Sequence, residues 1–218
     1  MAIDYQVDAP NGMAIDALSM VSRQLSVNFV YRVMPTRRGA YSLGNGLVDS
    51  FIAISHNEKM EKQGLFPMRD GRVDKNRALM TWDLAAFQRK GKRKADSSGF
   101  KSPITVPPGF DIENMTELRG LETHVIGSLE RQLDMLLRGH TNTALADALH
   151  AGYLIEARPE FAGKIQKVSD SVSTESSYLM LSKDFYRQYP DFSELLWNRL
   201  SEVRESAELW DGVDRYFR

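Results

Sequence analysis

Val27-Asn28-Phe29-Val30-Tyr31-Arg32-Val33, then Pro35 and Arg37-Arg38-Gly39-Ala40-Tyr41-Ser42-Leu43, then Gly44-Asn45-Gly46, then Val48-Asp49-Ser50-Phe51-Ile52-Ala53-Ile54 decide the fold class. The first run is rich in β-branched and aromatic residues and stops at a proline, which reads as a strand. The second has helical spacing and ends at a glycine breaker. The third is nearly all apolar, as a strand buried on both faces should be. Upstream, Ile3, Tyr5 and Val7 alternate as a short strand, and Asp8-Ala9-Pro10-Asn11-Gly12 is a turn. Ile15, Leu18, Val21 and Leu25 then recur every three or four positions, which lays one stripe of a helix over residues 13–25 against a sheet. The first 55 residues therefore read β-α-β-α-β, an α/β pattern.

Downstream, residues 55–77 are polar and punctuated by Gly64, Pro67 and Gly71, and read as loop and turn. Residues 80–88, with Trp82, Leu84 and Phe87, read as a strand or extended crossover. The run Lys90-Gly91-Lys92-Arg93-Lys94 opens a basic, linker-like stretch to Gly99, best taken as a solvated loop. The alternation then restarts: strands at 104–106, 124–126 and 143–146, helices at 112–121, 129–138 and 147–157, return strands at 165–168 and 178–181, and an amphipathic helix at 192–204 ahead of Trp210, Tyr216 and Phe217. Two βα series with a crossover between them predict two lobes.

Composition narrows the function classes. The 218 residues carry 28 Lys plus Arg against 29 Asp plus Glu, and no Cys. A formal charge of −1 lacks the basic excess that holds a protein to nucleic acid or anionic lipid. Zero Cys removes thiol catalysis, Cys-ligated zinc and Fe–S clusters. His56, His124, His140 and His150 lack ligand-like spacing, so no metal and no cofactor are expected. The motifs H-E-x-x-H, G-x-S-x-G and the Walker glycine loop are absent, which argues against an enzyme. No apolar run could cross a bilayer, and the first 25 residues lack the basic and apolar regions of a signal peptide.

Ordered motifs add a resemblance. Gly12-Met13-Ala14-Ile15-Asp16-Ala17-Leu18, then Pro35-Thr36-Arg37-Arg38 and Leu43-Gly44-Asn45-Gly46-Leu47-Val48-Asp49, then Glu58-Lys59 and Gly64-Leu65-Phe66-Pro67-Met68-Arg69-Asp70-Gly71 follow one another at family-like spacing. Ile104-Thr105-Val106-Pro107-Pro108-Gly109-Phe110, Gly139-His140-Thr141-Asn142-Thr143-Ala144-Leu145-Ala146-Asp147 and Tyr178-Leu179-Met180-Leu181-Ser182-Lys183 continue the series. Together they resemble the extracellular solute-binding proteins of family 3, the amino-acid-binding type that serves ABC transporters. The resemblance implies a type II periplasmic binding protein fold: two α/β lobes, each a mostly parallel sheet flanked by helices, residues 1–87 with 182–218 forming one and residues 88–181 the other. It further implies two hinge crossovers, a small polar ligand such as an amino acid in the cleft, a membrane permease or sensor as partner, a monomer, and a periplasmic or extracellular location. A degenerate or ligand-sensing module that regulates a partner is the alternative.

The same resemblance marks the site residues. Lys59 stands where amino-acid binders place an Arg on the ligand α-carboxylate; Lys supplies a point charge where Arg supplies a planar fork. Asp147 stands where a carboxylate receives the ligand ammonium, although an Asp between strand and helix is also a natural N-cap. Arg38 is a cleft-facing arginine or a solvated charge, and Ser55 and His56 follow the third strand, where contacts to ligand fall. Trp82 is an aromatic wall or core, and Gly109 and Phe110 form a loop where backbone approaches an anion. Three departures stand out: a short first loop from Asp8 to Asn11, Pro107-Pro108 in place of a glycine–hydroxyl turn, and Asn142 in place of an Asp.

Overall fold

A computed structural model describes residues 12–53, 56–91, 100–108, 115, 118–169 and 171–211. The chain divides into two compact units, one built from Met1–Thr81 and Ser176–Tyr216 and the other from Trp82–Glu175. It leaves the first within strand β4 (Met80–Arg89) and returns within β9 (Ser173–Leu181).

In unit 1, helix α1 (Met13–Leu25) carries Asp16 in its first turn and Arg23 in its last, both complementing the helix dipole. It buries Ala17, Leu18, Met20 and Val21 and ends at Ser26 in a left-handed conformation, φ 54°. Helix α2 (Thr36–Gly44) packs on β1 (Ser50–Ala53), and a Cβ on Gly39 would run into the Phe51 ring, so that close approach needs glycine. Strand β1 pairs antiparallel with β9, from Ser50 opposite Leu181 to Ala53 opposite Tyr178. Side chains alternate along β9. Leu179 and Leu181 join α1 and Leu196, Trp197, Leu200 and Val203 of α7 (Pro190–Arg204), while Tyr178 and Met180 join Leu43, Phe66 and Ala78. Helix α6 (Lys183–Gln188), capped by Ser182, precedes α7, and α8 (Ala207–Trp210) follows it.

In unit 2, β5 (Ile104–Val106) runs parallel to β6 (Thr123–Val125) and to β7 (Thr143–Asp147). Strand β4 runs antiparallel to β7 and to β8 (Ile165–Lys167). Alternation again makes two cores. Ala85, Phe87, Ala144 and Ala146 meet Leu133 and Leu136 of α4 (Leu129–Arg138), while Leu84, Ala86 and Leu145 meet Ile104, Val106 and Leu118. Helix α4 opens on Ser128, whose Oγ accepts from the Arg131 amide at 3.3 Å, and closes on Gly139 at φ 84°. Helix α5 (Ala148–Ala157) starts directly after β7.

The α/β reading holds, with several corrections. The sheets are mixed and not mostly parallel, because β4 and β9 are crossovers that pair antiparallel with the strands beside them. Residues 27–33 form no strand: Val27, Phe29 and Tyr31 are half-buried, but no neighbour among the described residues supplies a ladder. The expected loop at 55–77 holds helix α3 (Glu58–Glu61), a hairpin of β2 (Met68–Arg69) and β3 (Arg72–Val73), and a 3₁₀ turn, Lys75–Arg77. Asp70 and Gly71, at φ 51° and 74°, make that hairpin's two-residue turn. The expected strand at 3–7, the basic run from 92, and half of the expected helix at 112–121 lie outside the described residues, and the described stretch 118–121 is a tight turn and not α-helix. No helix among the described residues is long and apolar enough to cross a membrane.

Candidate functional site

Unit 1 presents three of the expected residues. His56 is half-buried, with Nε2 2.6 Å from Glu61 Oε1 and its ring edge-on to Phe66 at 4.8 Å; Phe66 in turn meets Tyr178 edge-on at 5.6 Å. This stack seats the residue that follows strand β1 on the strand-β9 core. Asn57 caps α3 through the Met60 amide at 3.0 Å and so sets out Lys59 one turn from His56. Lys59 and Arg38 are exposed on α3 and α2, cations available to a carboxylate. Ser55 lies outside the described residues, as do Gly109 and Phe110.

Unit 2 gathers the other group. Asp147 ends β7, and its Oδ1 accepts from the His150 amide at 2.6 Å, capping α5. The register sets Leu84 opposite Asp147, so Asp83 stands one residue away on the adjacent strand. Asp83 Oδ1 accepts from Thr174 Oγ1 at 2.7 Å and from Ser171 Oγ at 3.4 Å, and Trp82 beside it is half-buried. Side chains alternate along β4, so Asp83 and Asp147 face opposite sides of the sheet, and Trp82 is on the Asp147 side; each carboxylate by itself suits an ammonium or guanidinium group. Asp83, Ser171 and Thr174 were not anticipated. The available signal was an acidic residue breaking the otherwise apolar run around Leu84.

Burial holds the Asp147 carboxyl above its usual range. The charge of Asp83 adds to the rise, while the amides of His150 and Leu149 and the His150 side chain oppose it. A carboxyl that binds its proton more tightly when folded makes stability fall with rising pH, from its unfolded value of about 3.9 up to the raised folded value. Asp147→Asn keeps a good N-cap and removes the titration. Urea midpoints measured between about pH 3 and pH 7 should therefore lose that downward component in the variant. An unchanged profile would place the stressed carboxyl elsewhere.

The sequence matches no protein-family model and no curated protein. Solved structures do match over nearly the whole chain. The GluR0 ligand-binding core of Nostoc punctiforme, in complex with L-glutamate, is 16% identical, with 100% of this chain and 96% of that one covered at a TM-score of 0.64. A putative binding component of an ABC transporter from Wolinella succinogenes, complexed with lysine, is 13% identical, with 95% and 86% covered at 0.68. A histidine kinase sensor domain with similarity to periplasmic binding proteins is 14% identical, with 95% and 86% covered at 0.67. The mixed α/β units, joined by two crossing strands and matched end to end by such domains, have the type II periplasmic binding protein fold.

Proposed function

We propose that this chain is a solute-binding protein, working on the periplasmic or extracellular side of a membrane and delivering a small polar ligand of the amino-acid class to an ABC-type permease. One observation carries the reading: the fold match runs across at least 94% of the chain to proteins solved with glutamate, glutamine, lysine or arginine. The chain's own chemistry supports it. Asp147 offers a carboxylate to a ligand ammonium, and Lys59 and Arg38 offer cations to a ligand carboxylate. The role is capture and release, without a bond made or broken.

A thermal-shift series with amino acids, polyamines, sugars and small carboxylates tests this. The cognate solute at a hundredfold excess over Kd should raise stability by about 2.7 kcal/mol. No response to any class would overturn delivery and favour the second reading, a regulatory module that senses through a partner, for which the sensor-kinase neighbour and the Lys59 and Pro107-Pro108 departures speak.

A further inference from the structure

Unit 1 carries a cavity of about 550 Å³ that shares no residue with the amine- and carboxylate-holding groups described above. Small-molecule sites usually have roughly 300–1,000 Å³. Helix α1, the extended run that follows it, and α8 line this one. Asp16, Ser19 and Arg23 recur at three and four along α1 and so share one of its faces. Phe29 and Tyr31, two positions apart in extended chain, point the same way, with ring centroids 6.4 Å apart. Helix α8 is held in place at both ends. Ser206 Oγ accepts from the Leu209 amide at 3.4 Å, and Trp210 Nε1 donates to the Arg204 carbonyl at 2.7 Å. That seat buries Leu209 in the cavity lining and sets Glu208 Oε1 3.4 Å from Arg23 Nη2.

We propose that this cavity binds a neutral hexopyranose, a sugar site that unit 1 carries apart from the amino-acid site. The lining mixes every kind of hydrogen-bonding group: Arg23 only donates, Asp16 and Glu208 only accept, and Ser19, Asn28 and Tyr31 do both. Burial lifts the Tyr31 hydroxyl above its ordinary range; hydrogen bonding with Ser19 opposes the rise and the Asp16 charge adds to it. The phenol is therefore neutral at neutral pH and serves as donor and acceptor alike. An anion entering here meets two carboxylates, and a cation meets the Arg23 guanidinium. A hydroxyl donates and accepts through one atom, so every one of these groups can serve it. Arg23 and Glu208, 3.4 Å apart, present a donor beside an acceptor, which suits two adjacent ring hydroxyls. A pyranose also has an apolar C–H face, and the Phe29 and Tyr31 rings offer it an aromatic surface.

Titration of the full chain with D-glucose, D-galactose and D-mannose, read by amide NMR shifts, tests this, with L-lysine, L-glutamate and spermidine as the contrasting probes. At least one sugar should shift the amides of Ser19, Arg23, Asn28, Tyr31 and Leu209 saturably, with a Kd below about 10 mM. Arg23→Ala and Asn28→Ala should each weaken that sugar by about tenfold or more. Both side chains are exposed, and the Arg23–Glu208 pair is a surface one, so the fold persists without either. Shifts that stay linear with all three sugars, or that saturate only at other residues, overturn the proposal. Saturation of these residues by spermidine or an amino acid and by no sugar overturns it too, and assigns the cavity to a charged ligand. Unchanged sugar affinity in both variants overturns the assignment of the lining. The wild-type titration decides the matter even if a variant fails to fold. Because the two sites share no residue, lysine or glutamate binding elsewhere in the chain leaves this result untouched.

Discussion

Trp197→Ala lowers the stability of unit 1 by about 3–5 kcal/mol, the range for a fully buried large aromatic. Trp197 lies on the inner face of α7 at 2% exposure, and its indole Nε1 donates to the Leu179 carbonyl of β9 at 2.8 Å. The Tyr186 ring stands 5.7 Å away, and Tyr186 is held in turn by a hydrogen bond from its hydroxyl to Glu194 at 3.0 Å. Truncation removes the helix-to-strand contact, opens a cavity among Leu179, Leu196 and Leu200, and strands a carbonyl. Against a total stability of about 5–15 kcal/mol, a loss of that size shifts the urea midpoint strongly. Trp197→Phe, which keeps most of the volume and loses the donor, should fall about 1–3 kcal/mol, the cost of the unpaired carbonyl. Far-UV circular dichroism during urea unfolding reads both, since the substitution removes a fluorophore. A Trp197→Ala loss under about 1 kcal/mol would show that the α7–β9 contact is not the anchor of this core.

Period and punctuation carried most of the fold. Helices with one clean apolar stripe, such as α1 and α7, were legible because their buried residues recur at three and four. Strand β7 was legible because Thr143 through Ala146 are buried on both faces, and an unbroken short run says so. Where the two signals separate, sequence reading slipped. Residues 27–33 have strand composition and strand-like alternation of burial, but a strand also needs a ladder, and pairing is a property of distant chain. The segment at 55–77 has the opposite character. Its elements are two to four residues long, too short for any period to register, and they are fixed by single groups: the Asn57 cap, the Asp74 side chain accepting the Asn76 amide at 3.1 Å, and the Asp70-Gly71 turn.

The candidate site was legible where residue type and position coincide. Asp147 was placed at a strand-to-helix junction, and it caps α5 as an Asp there should. The nearby charge of Asp83 was not visible, because Asp83 and Asp147 are 64 positions apart and come onto adjacent strands only through the register that sets Leu84 opposite Asp147. The same holds for Thr174 and Ser171, brought to Asp83 by the return of the chain into β9. His56 was singled out as a contact after the third strand; its partner Glu61 and its seat on Phe66 come from the α3 turn that the polar composition concealed.

Asp147→Asn separates the two duties of that carboxylate and is expected to weaken binding of an amine-bearing ligand by about a hundredfold or more. The cap is retained, since Asn accepts the His150 amide nearly as well as Asp does, so the fold and the seating of α5 persist. What disappears is the negative charge, and truncating one side of a desolvated, hydrogen-bonded charge pair costs about 2–5 kcal/mol, of which about 2.7 is a hundredfold. Asp147→Ala adds the loss of the cap, about 1 kcal/mol of stability. Burial and the Asp83 charge hold the Asp147 proton more tightly than usual in the free protein, and a bound cation favours the ionised form. Binding should therefore release a proton where that raised carboxyl titrates, and weaken as pH falls through the raised range. Calorimetric titration in two buffers of different ionisation enthalpy reads affinity and proton release together. Asp83→Asn should leave α5 capped and reduce the proton release, because Asp83 takes no part in that cap and its charge helps hold the Asp147 proton. If a solute that stabilises the wild type binds both Asn variants with unchanged affinity and without altered proton release, the amine-holding group lies elsewhere in the chain.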